Sequence, residues 1–323
     1  MRRPAALVAA AATLVLGGCQ APVTGESREG AVPLAVKSGP VTFTAEPGPK
    51  LEGRFYAIVG GETSNDNRLY ELGFSPPAIR LLTETARVSS VGACDGRVVV
   101  AAGQPEVGFS DHIQELRNRQ LVPLDGLGST AGFQPELDPE CRVAYTWLDR
   151  ATDALVGELR VWDPAQKVGR TLYRAQPGDA PLISPDWGPR GEVAAVRLDP
   201  KQAGPLPEGT PPGRPAAIIV VHPDGSVSEI DLGGDPGALA WGKKWMAVHE
   251  EEQGTIFVDP ASGARSVLPR WRPVAWSPDG DQLLVKDAAT RRILGLVDAS
   301  DLSSVQEVGR VSGPVFDVDW LPA

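Results

Sequence analysis

A short unit that recurs along the chain constrains the fold more than any other feature of the sequence. Its clearest copy, PVAWSPDGDQLLV at 273–285, predicts an apolar strand, a tight turn at Asp279-Gly280 and a second apolar strand. Asp-Gly between two apolar runs is a strong hairpin signal, because glycine accepts the positive φ that such turns need. Two further apolar segments, 292–297 and 304–308, follow the hairpin. The unit therefore predicts four antiparallel strands.

The same unit recurs upstream with changes around the turn. Trp187 and Trp241 occupy the position of Trp276, Leu137 replaces the tryptophan in an earlier copy, and the first copy keeps only its Asp-Gly turn. The turn positions lie roughly 35 to 50 residues apart. They are Gly96, Cys141, Gly191, about residue 243, and Gly280. Four strands repeated with this period predict an all-β chain that folds as a β-propeller.

The last copy of the unit is incomplete. Residues 315–320 supply a first strand only, while the apolar segments 55–59, 68–72 and 79–82 stand unassigned near the other end of the chain. One C-terminal strand and three N-terminal strands would complete a sixth blade and close the ring, which removes exposed sheet edges. We therefore predict a six-bladed propeller over residues 53–323. A seven-bladed ring is the alternative if one blade near residues 199–214 is wrongly assigned.

The first nineteen residues have the pattern of an export signal. Arg2 and Arg3 precede an apolar run, 5–16, that is too short to span a membrane as a helix. The run ends in Leu16-Gly17-Gly18-Cys19, which resembles the lipobox of bacterial lipoproteins. The resemblance implies that residues 1–18 are a signal peptide and that Cys19 carries diacylglycerol on its sulfur and usually an acyl group, such as palmitate, on its amine. A secretory signal that merely contains a cysteine is the alternative, and both interpretations export the domain.

Residues 20 to about 50 are rich in Gly, Pro, Ser and Thr and have no sustained apolar period. We therefore expect residues 19–52 to form the lipidated cysteine and a flexible spacer. The anchor would lie at the outer face of the cytoplasmic membrane, or at the outer membrane in a Gram-negative cell.

Composition excludes several classes of partner. The formal net charge of −10 disfavours unassisted binding to nucleic acid or to an anionic lipid surface. Three Cys, three His and two Met argue against a dedicated zinc, copper or haem site. We expect no cofactor, with bound Ca²⁺ as the alternative. We also expect the protein to be a monomer.

A resemblance to a known family supports the fold prediction. The motif WSPDG at 276–280, with the apolar strand that follows, resembles the repeats of TolB-like (WD40-like) propellers. The resemblance covers roughly residues 53–323, although one copy alone carries the full motif. It implies the fold and leaves the activity open, since propellers serve many functions.

Four tryptophans stand at equivalent positions at the ends of first strands: Trp187, Trp241, Trp276 and Trp320. A tryptophan that recurs once per blade is what a wedge between neighbouring blades requires. The alternative is an aromatic ring around one mouth of the channel, suited to stacking on sugars or planar rings.

Cys94 and Cys141 lie in corresponding turns of adjacent blades. Because lipidation would use Cys19, these two cysteines form an even pair in an exported domain. Innermost hairpins of neighbouring blades lie close together, which predicts a Cys94–Cys141 disulfide. Two free buried thiols are the alternative.

Acidic residues gather on the first strands: Glu136, Asp186, Asp317 and Asp319. If some of them point into the channel, they offer oxygen ligands to a cation such as Ca²⁺ or a charged surface to a basic partner. Solvated carboxylates at strand ends are the alternative.

These features favour a membrane-anchored binding or scaffold module for an envelope protein, a peptide or a glycan. No catalytic residue is assigned, because neither His nor Asn falls on a predicted first strand and no nucleophile is paired with a base in the sequence. The alternative is a propeller hydrolase or lactonase-like enzyme with its site in the central channel.

Overall fold

Each copy of the repeat forms a four-stranded antiparallel sheet in the computed structural model. The structure describes residues 33–47, 51–61, 66–85, 87–103, 111–127, 132–149, 156–176, 178–200 and 213–323. The predicted signal peptide and Cys19 lie outside the described residues. Within the described ranges the regular structure is β-strand, and no helix there is long and apolar enough to cross a membrane.

The strands are numbered in chain order. They are β1 (Leu34–Ser38), β2 (Val41–Ala45), β3 (Arg54–Gly60), β4 (Asn67–Phe74), β5 (Pro77–Leu81), β6 (Val88–Cys94), β7 (Arg97–Gly103), β8 (Asp111–Arg117), β9 (Gln120–Pro123), β10 (Gly132–Leu137), β11 (Val143–Asp149), β12 (Val156–Asp163), β13 (Val168–Arg174), β14 (Leu182–Trp187), β15 (Val193–Arg197), β16 (Ala217–Val221), β17 (Val227–Asp231), β18 (Pro236–Trp241), β19 (Met246–Glu250), β20 (Gly254–Val258), β21 (Arg265–Leu268), β22 (Trp271–Trp276), β23 (Gln282–Asp287), β24 (Ile293–Asp298), β25 (Asp301–Val311) and β26 (Val315–Leu321).

The sheets define six blades. Blades 1 to 4 are β6–β9, β10–β13, β14–β17 and β18–β21, and blade 5 is built on β22–β25. Blade 6 combines β26 with β3, β4 and β5, and Trp320 pairs with Phe55 across the seam. The first strands β6, β10, β14, β18, β22 and β26 contact one another in sequence, and β26 contacts β6, so the ring is closed. Six blades and closure by strands from both ends are confirmed, and the seven-bladed alternative is wrong for the chain as described.

The core lies between the blades. Side chains alternate along a strand, so each blade presents one row to the preceding blade and one to the next. Central strands are therefore apolar on both faces, as in β15 and β16, where every residue is buried. Repeated apolar second and third strands were the signal that made this architecture predictable.

The N-terminal spacer prediction is wrong for residues 34–45. These residues form the hairpin β1–β2, and β2 pairs with β25 to extend blade 5 to six strands. Val41, Phe43 and Ala45 are buried, while the threonines between them are half-buried. Phe43 packs edge-on against Phe74 of blade 6 with ring centroids 5.1 Å apart. Burial of this short apolar row across the junction of blades 5 and 6 is the physical reason that the segment is ordered.

Candidate functional site in the central channel

The channel has two ends, set by the direction of the first strands. We call the end with the turns between first and second strands the turn mouth, and the end where the first strands begin the start mouth. Each first strand leaves one backbone edge unpaired toward the channel, and its pairing with the second strand shifts register at an irregularity along its length. The unpaired N–H groups on these edges need acceptors.

Asp186 supplies such an acceptor between blades 3 and 4. Its carboxylate accepts a hydrogen bond from the backbone N–H of Trp241 on the next first strand, at 2.6 Å. It also accepts from the N–H of Trp187, at 2.6 Å. Asp186 is therefore a structural bridge between neighbouring first strands.

Asp317 and Asp319 do the same between blades 6 and 1. Asp317 accepts from the N–H of Val91 at 2.9 Å, and Asp319 accepts from the N–H of Ala93. Each also accepts from the N–H of the residue that follows it, at 3.1 and 2.7 Å. The structure places these carboxylates in the channel wall and bonds them to backbone.

Burial raises the pKa of the channel carboxylates. It raises the pKa of Asp186 and of Asp319 to about 7, although their backbone N–H donors favour the ionised form. Burial also raises the pKa of Asp317, against the opposing charge of Lys286. The pKa of Glu136 is raised by burial and then by the charges of Asp186, Asp319 and Asp317. The four predicted site residues therefore interact electrostatically within one channel.

The channel carboxylates do not converge as metal ligands. Among the described residues, no three His, Cys, Asp or Glu side chains are grouped as a metal ion requires. The three aspartates act instead as hydrogen-bond acceptors for the strands that surround them.

A cavity of about 90 Å³ lies inside the channel toward the start mouth, and we call it the channel cavity. Each first strand contributes to the wall the third residue before its tryptophan position, which Ala93 takes in β6 because its N–H bonds Asp319 as that of Trp241 bonds Asp186. These residues are Ser90, Gln134, Ser184, Ala238, Pro273 and Asp317. Glu136 and Lys286 complete the charged part of the wall. Sequence reasoning found Glu136 and Asp317 and missed Ser90, Gln134, Ser184 and Lys286, although counting three residues back from Leu137 and Trp187 would have found Gln134 and Ser184.

Lys286 enters the channel from β23, the second strand of blade 5. It is 6% exposed, and its ammonium group donates to the backbone carbonyl of Phe316. Burial lowers its pKa to about 8, while the charge of Asp317 favours the protonated form. Its signal in the sequence is a lysine directly after the apolar run Leu283-Leu284-Val285.

Gln134 and Ser184 join blades 2 and 3 at the channel wall. The backbone N–H of Ser184 donates to Oε1 of Gln134 at 2.6 Å. Both residues have positive φ, 52° and 45°, a region that a side chain with Cβ disfavours. The hydrogen bond and the strand irregularity together hold this conformation, which fixes the wall of the channel cavity.

The repeated tryptophans are packed between blades. The indole N–H of Trp187 donates to the carbonyl of Glu136 in the preceding blade at 3.1 Å, and that of Trp276 donates to the carbonyl of Ala240 at 3.0 Å. A Cβ on Gly188 would lie 2.7 Å from the ring of Trp241, so this tryptophan also fits closely against the preceding blade. The wedge interpretation accounts for these contacts.

A depression of about 520 Å³ lies at the turn mouth, and we call it the turn depression. It is lined by the hairpins of blades 2 to 5, with edges of Trp187, Trp241 and Trp276 in its wall. Charged groups at the rim include Glu140 and Lys243. The Arg142 guanidinium lies 4.8 Å above the ring of Trp187 and bonds Asp138, so part of the aromatic surface is already covered.

Cys94 and Cys141 form a disulfide that joins blades 1 and 2, with Cα atoms 5.5 Å apart. Cys141 has φ 59°, and the equivalent turn positions Gly191 and Gly280 have φ 82° and 70°. The turn therefore keeps the left-handed geometry of the repeat although cysteine replaces glycine. This link fixes one side of the turn mouth covalently.

The fold and the channel define a six-bladed β-propeller. No protein-family model matches the chain, and no curated protein sequence matches it. The chain is structurally similar to TolB from Acinetobacter baumannii, with a TM-score of 0.60 and 13% identity over 84% of this chain and 67% of that one.

Two solved enzymes share the architecture. The tricorn protease has a TM-score of 0.54 and 11% identity over 87% of this chain and 34% of its own, so this chain spans about a third of that protein. A gluconolactonase from Xanthomonas campestris has a TM-score of 0.50 and 14% identity over 87% of this chain and 91% of its own. At such low identity these likenesses show the fold alone.

Proposed function

We propose that this protein is a lipid-anchored extracytoplasmic lipoprotein whose propeller binds a partner protein or peptide at the turn depression. The observation that carries the proposal is the depression itself, about 520 Å³, with tryptophan edges in its wall and charges of both signs at its rim. Loops on a rigid scaffold commonly carry recognition, and these hairpins are held by turn hydrogen bonds and by the Cys94–Cys141 disulfide.

The proposed location rests on two independent features. The lipobox ending at Cys19 supplies the anchor, and it would hold the domain at the outer face of the cytoplasmic membrane or at the outer membrane. The disulfide supports an oxidising compartment, because such bonds are rare in the bacterial cytoplasm.

We infer binding rather than catalysis from where the histidines lie. His249 is buried on β19, with its ring nitrogens 3.2 Å from the carbonyl of Gly254 and 3.3 Å from Glu251. His222 bonds Ser228 in a turn of blade 3, and His112 lies on β8, the third strand of blade 1. None of the three is on a first strand or lines the channel cavity, and the channel aspartates, whose raised pKa would suit a general base, are already bonded to backbone N–H groups.

Chemical crosslinking of the tagged lipoprotein in its own cells, with identification of the attached proteins, tests the binding proposal. We expect Lys243→Glu or Glu140→Lys, at the rim of the turn depression, to reduce capture of the same partner about tenfold, since opposed charges at an interface disfavour the complex. The matched control is Arg170→Glu, an exposed charge reversal on the outermost strand of blade 2.

Equal capture by the rim variants and the control would remove the turn depression from the interface. If purified protein binds to a glycan array and no protein is captured in cells, the partner is a glycan and not a protein or peptide. Hydrolysis of a lactone or ester by purified protein, abolished by one channel substitution, would establish the lactonase-like alternative instead.

The lipid anchor is tested separately. Cys19→Ala should release the protein from membranes, and a wild-type protein without lipid on Cys19 would contradict the anchor.

A further inference from the structure

The start mouth holds two adjacent spaces that the turn depression does not reach. One is the channel cavity, and the other is a pocket of about 330 Å³ between blades 2 and 3. Phe133, Trp147, Leu182 and Ile183 make that pocket largely apolar, and we call it the apolar pocket. Ser89 and Gln134 line both spaces, so the two spaces are neighbours in the channel wall.

Ser90 marks the channel cavity as a place that takes a polar group. Its side chain is 4% exposed and lines the cavity, and its hydroxyl oxygen has no hydrogen-bond partner among the described residues. A buried hydroxyl without a partner costs free energy, and native structures rarely leave one unpaired. The hydroxyl oxygen therefore still needs a partner, which a group in the cavity supplies if the Ser90 side chain changes rotamer.

The charge in the channel favours a cation at this position. Glu136 lines the cavity, and the neighbouring charges that act on it, from Asp186, Asp319 and Asp317, are all negative. Lys286 is the resident cation, and it interacts with Asp317. Burial and then repulsion from these carboxylates raise the pKa of Glu136, so an ammonium group beside it would favour its ionised form and relieve the repulsion.

Size limits what can enter. The channel cavity, about 90 Å³, is well below the ~300–1,000 Å³ of small-molecule sites, so it accommodates a small polar group and not a whole ligand. The apolar pocket, about 330 Å³, is at the lower end of the volumes of small-molecule sites and accepts one aromatic ring.

We propose that the start mouth binds a small arylalkylamine, with its ring in the apolar pocket and its ammonium group in the channel cavity beside Glu136 and Ser90. Glu136 accepts from the ammonium group, and the Ser90 hydroxyl accepts a second of its hydrogen bonds. The site shares no lining residue with the turn depression. The amine site therefore goes beyond the proposed partner binding, and its test is independent of that proposal.

Titration calorimetry with 2-phenylethylamine, 2-phenylethanol and 3-phenylpropionate tests the site. We expect saturable binding of the amine below about 10 mM, at least about tenfold weaker binding of the alcohol, and no binding of the carboxylate. Glu136→Gln should weaken binding of the amine about tenfold, and Ser90→Ala should weaken it severalfold. Ser90→Ala removes no hydrogen bond made by the side chain within the described residues, so its fold is expected to be intact.

The matched control is Glu140→Gln, which removes a carboxylate at the opposite mouth and should leave amine binding unchanged. Phe133→Ala should weaken the amine and the alcohol alike, because it removes a wall of the apolar pocket. Equal affinity for the amine and the alcohol, or an unchanged affinity in Glu136→Gln and Ser90→Ala, would overturn the proposal. Failure of the wild-type protein to bind the amine would do so as well, and would assign the cavity to water.

Discussion

At the scale of single residues, three aspartates complete the hydrogen bonding of an otherwise open strand edge. Asp186, Asp317 and Asp319 each accept from the backbone of the next first strand. Their burial raises their pKa, so the same residues that join the blades resist ionisation. Stability and protonation are therefore coupled in the channel.

This coupling predicts the pH dependence of stability. The pKa of Asp186 and of Asp319 is about 7 in the folded protein and about 3.9 in an unfolded chain. A raised folded-state pKa contributes stability that is fully present below the unfolded value and is lost as pH rises through the folded value. We expect the melting temperature, measured by circular dichroism, to be higher near pH 5 than near pH 8.

The Asp186→Asn/Asp319→Asn double variant should have a lower melting temperature at every pH, because an amide nitrogen cannot accept the N–H bonds that the carboxylate accepts. Its melting temperature should change less between about pH 5 and about pH 8 than that of the wild type. Asp281→Asn, in an exposed turn, serves as the control and should keep the wild-type slope. An unchanged slope in the double variant would show that these two carboxylates do not cause it.

Sequence could place the acidic residues on first strands but not show what they bond. The partner of Asp186 is a backbone N–H more than fifty residues away, and nothing in the residue identity of Trp241 reveals that this group is unpaired. Ser90 was missed for the same reason, because a serine in a strand is ordinary until its neighbours are known. The repeat, in contrast, could be predicted because it is local and periodic.

At the scale of elements, the hairpin β1–β2 ties the outer part of blade 5 to blade 6. Phe43 is fully buried, and it contacts Phe74 across that junction. Its five-residue strand VTFTA was too short to stand out among the surrounding Gly, Pro and Thr residues. Tertiary burial of alternate residues decides its structure, and sequence composition does not show that burial.

Phe43→Ala should therefore lower the free energy of unfolding by about 3–5 kcal/mol, the usual cost of emptying a buried aromatic position. Urea titration followed by tryptophan fluorescence measures the change. Leu34→Ala, on the exposed strand β1 of the same hairpin, is the matched control and should change the free energy little, since Leu34 is 58% exposed. Similar results for both variants would contradict a stabilising role for the hairpin.

The Cys94–Cys141 disulfide links two further elements, the turns of blades 1 and 2. It spans 47 residues, so in the chain-entropy model it stabilises the fold by about 4 kcal/mol. The Cys94→Ala/Cys141→Ala variant should lose about that amount in urea titration under non-reducing conditions. Dithiothreitol should destabilise the wild type and leave this variant unaffected, and equal sensitivity of the two would contradict the prediction.

At the scale of the whole molecule, stability depends on the seam in blade 6. Deleting residues 314–323 removes β26, with buried Val318 and Trp320, and exposes the edge of β3. We expect this truncation to unfold the propeller, because the loss is comparable with the whole stability of a domain, about 5–15 kcal/mol. Deleting 322–323, both exposed, is the control. A melting temperature of the longer truncation within a few degrees of wild type would contradict the closure.

The seam also sets the order in which the molecule can form. Blades 1 to 4 are built from consecutive strands, so each can assemble soon after its own residues become available. Blade 6 cannot form until the C-terminal strand is available, because it joins the two ends of the chain. Trp320, for example, donates to the carbonyl of Glu52 across 268 residues of chain. Contacts this distant in sequence are slow to form, and the open edge of β3 is exposed to other chains in the meantime. The final strand therefore governs both how fast the propeller matures and how long it is vulnerable to aggregation.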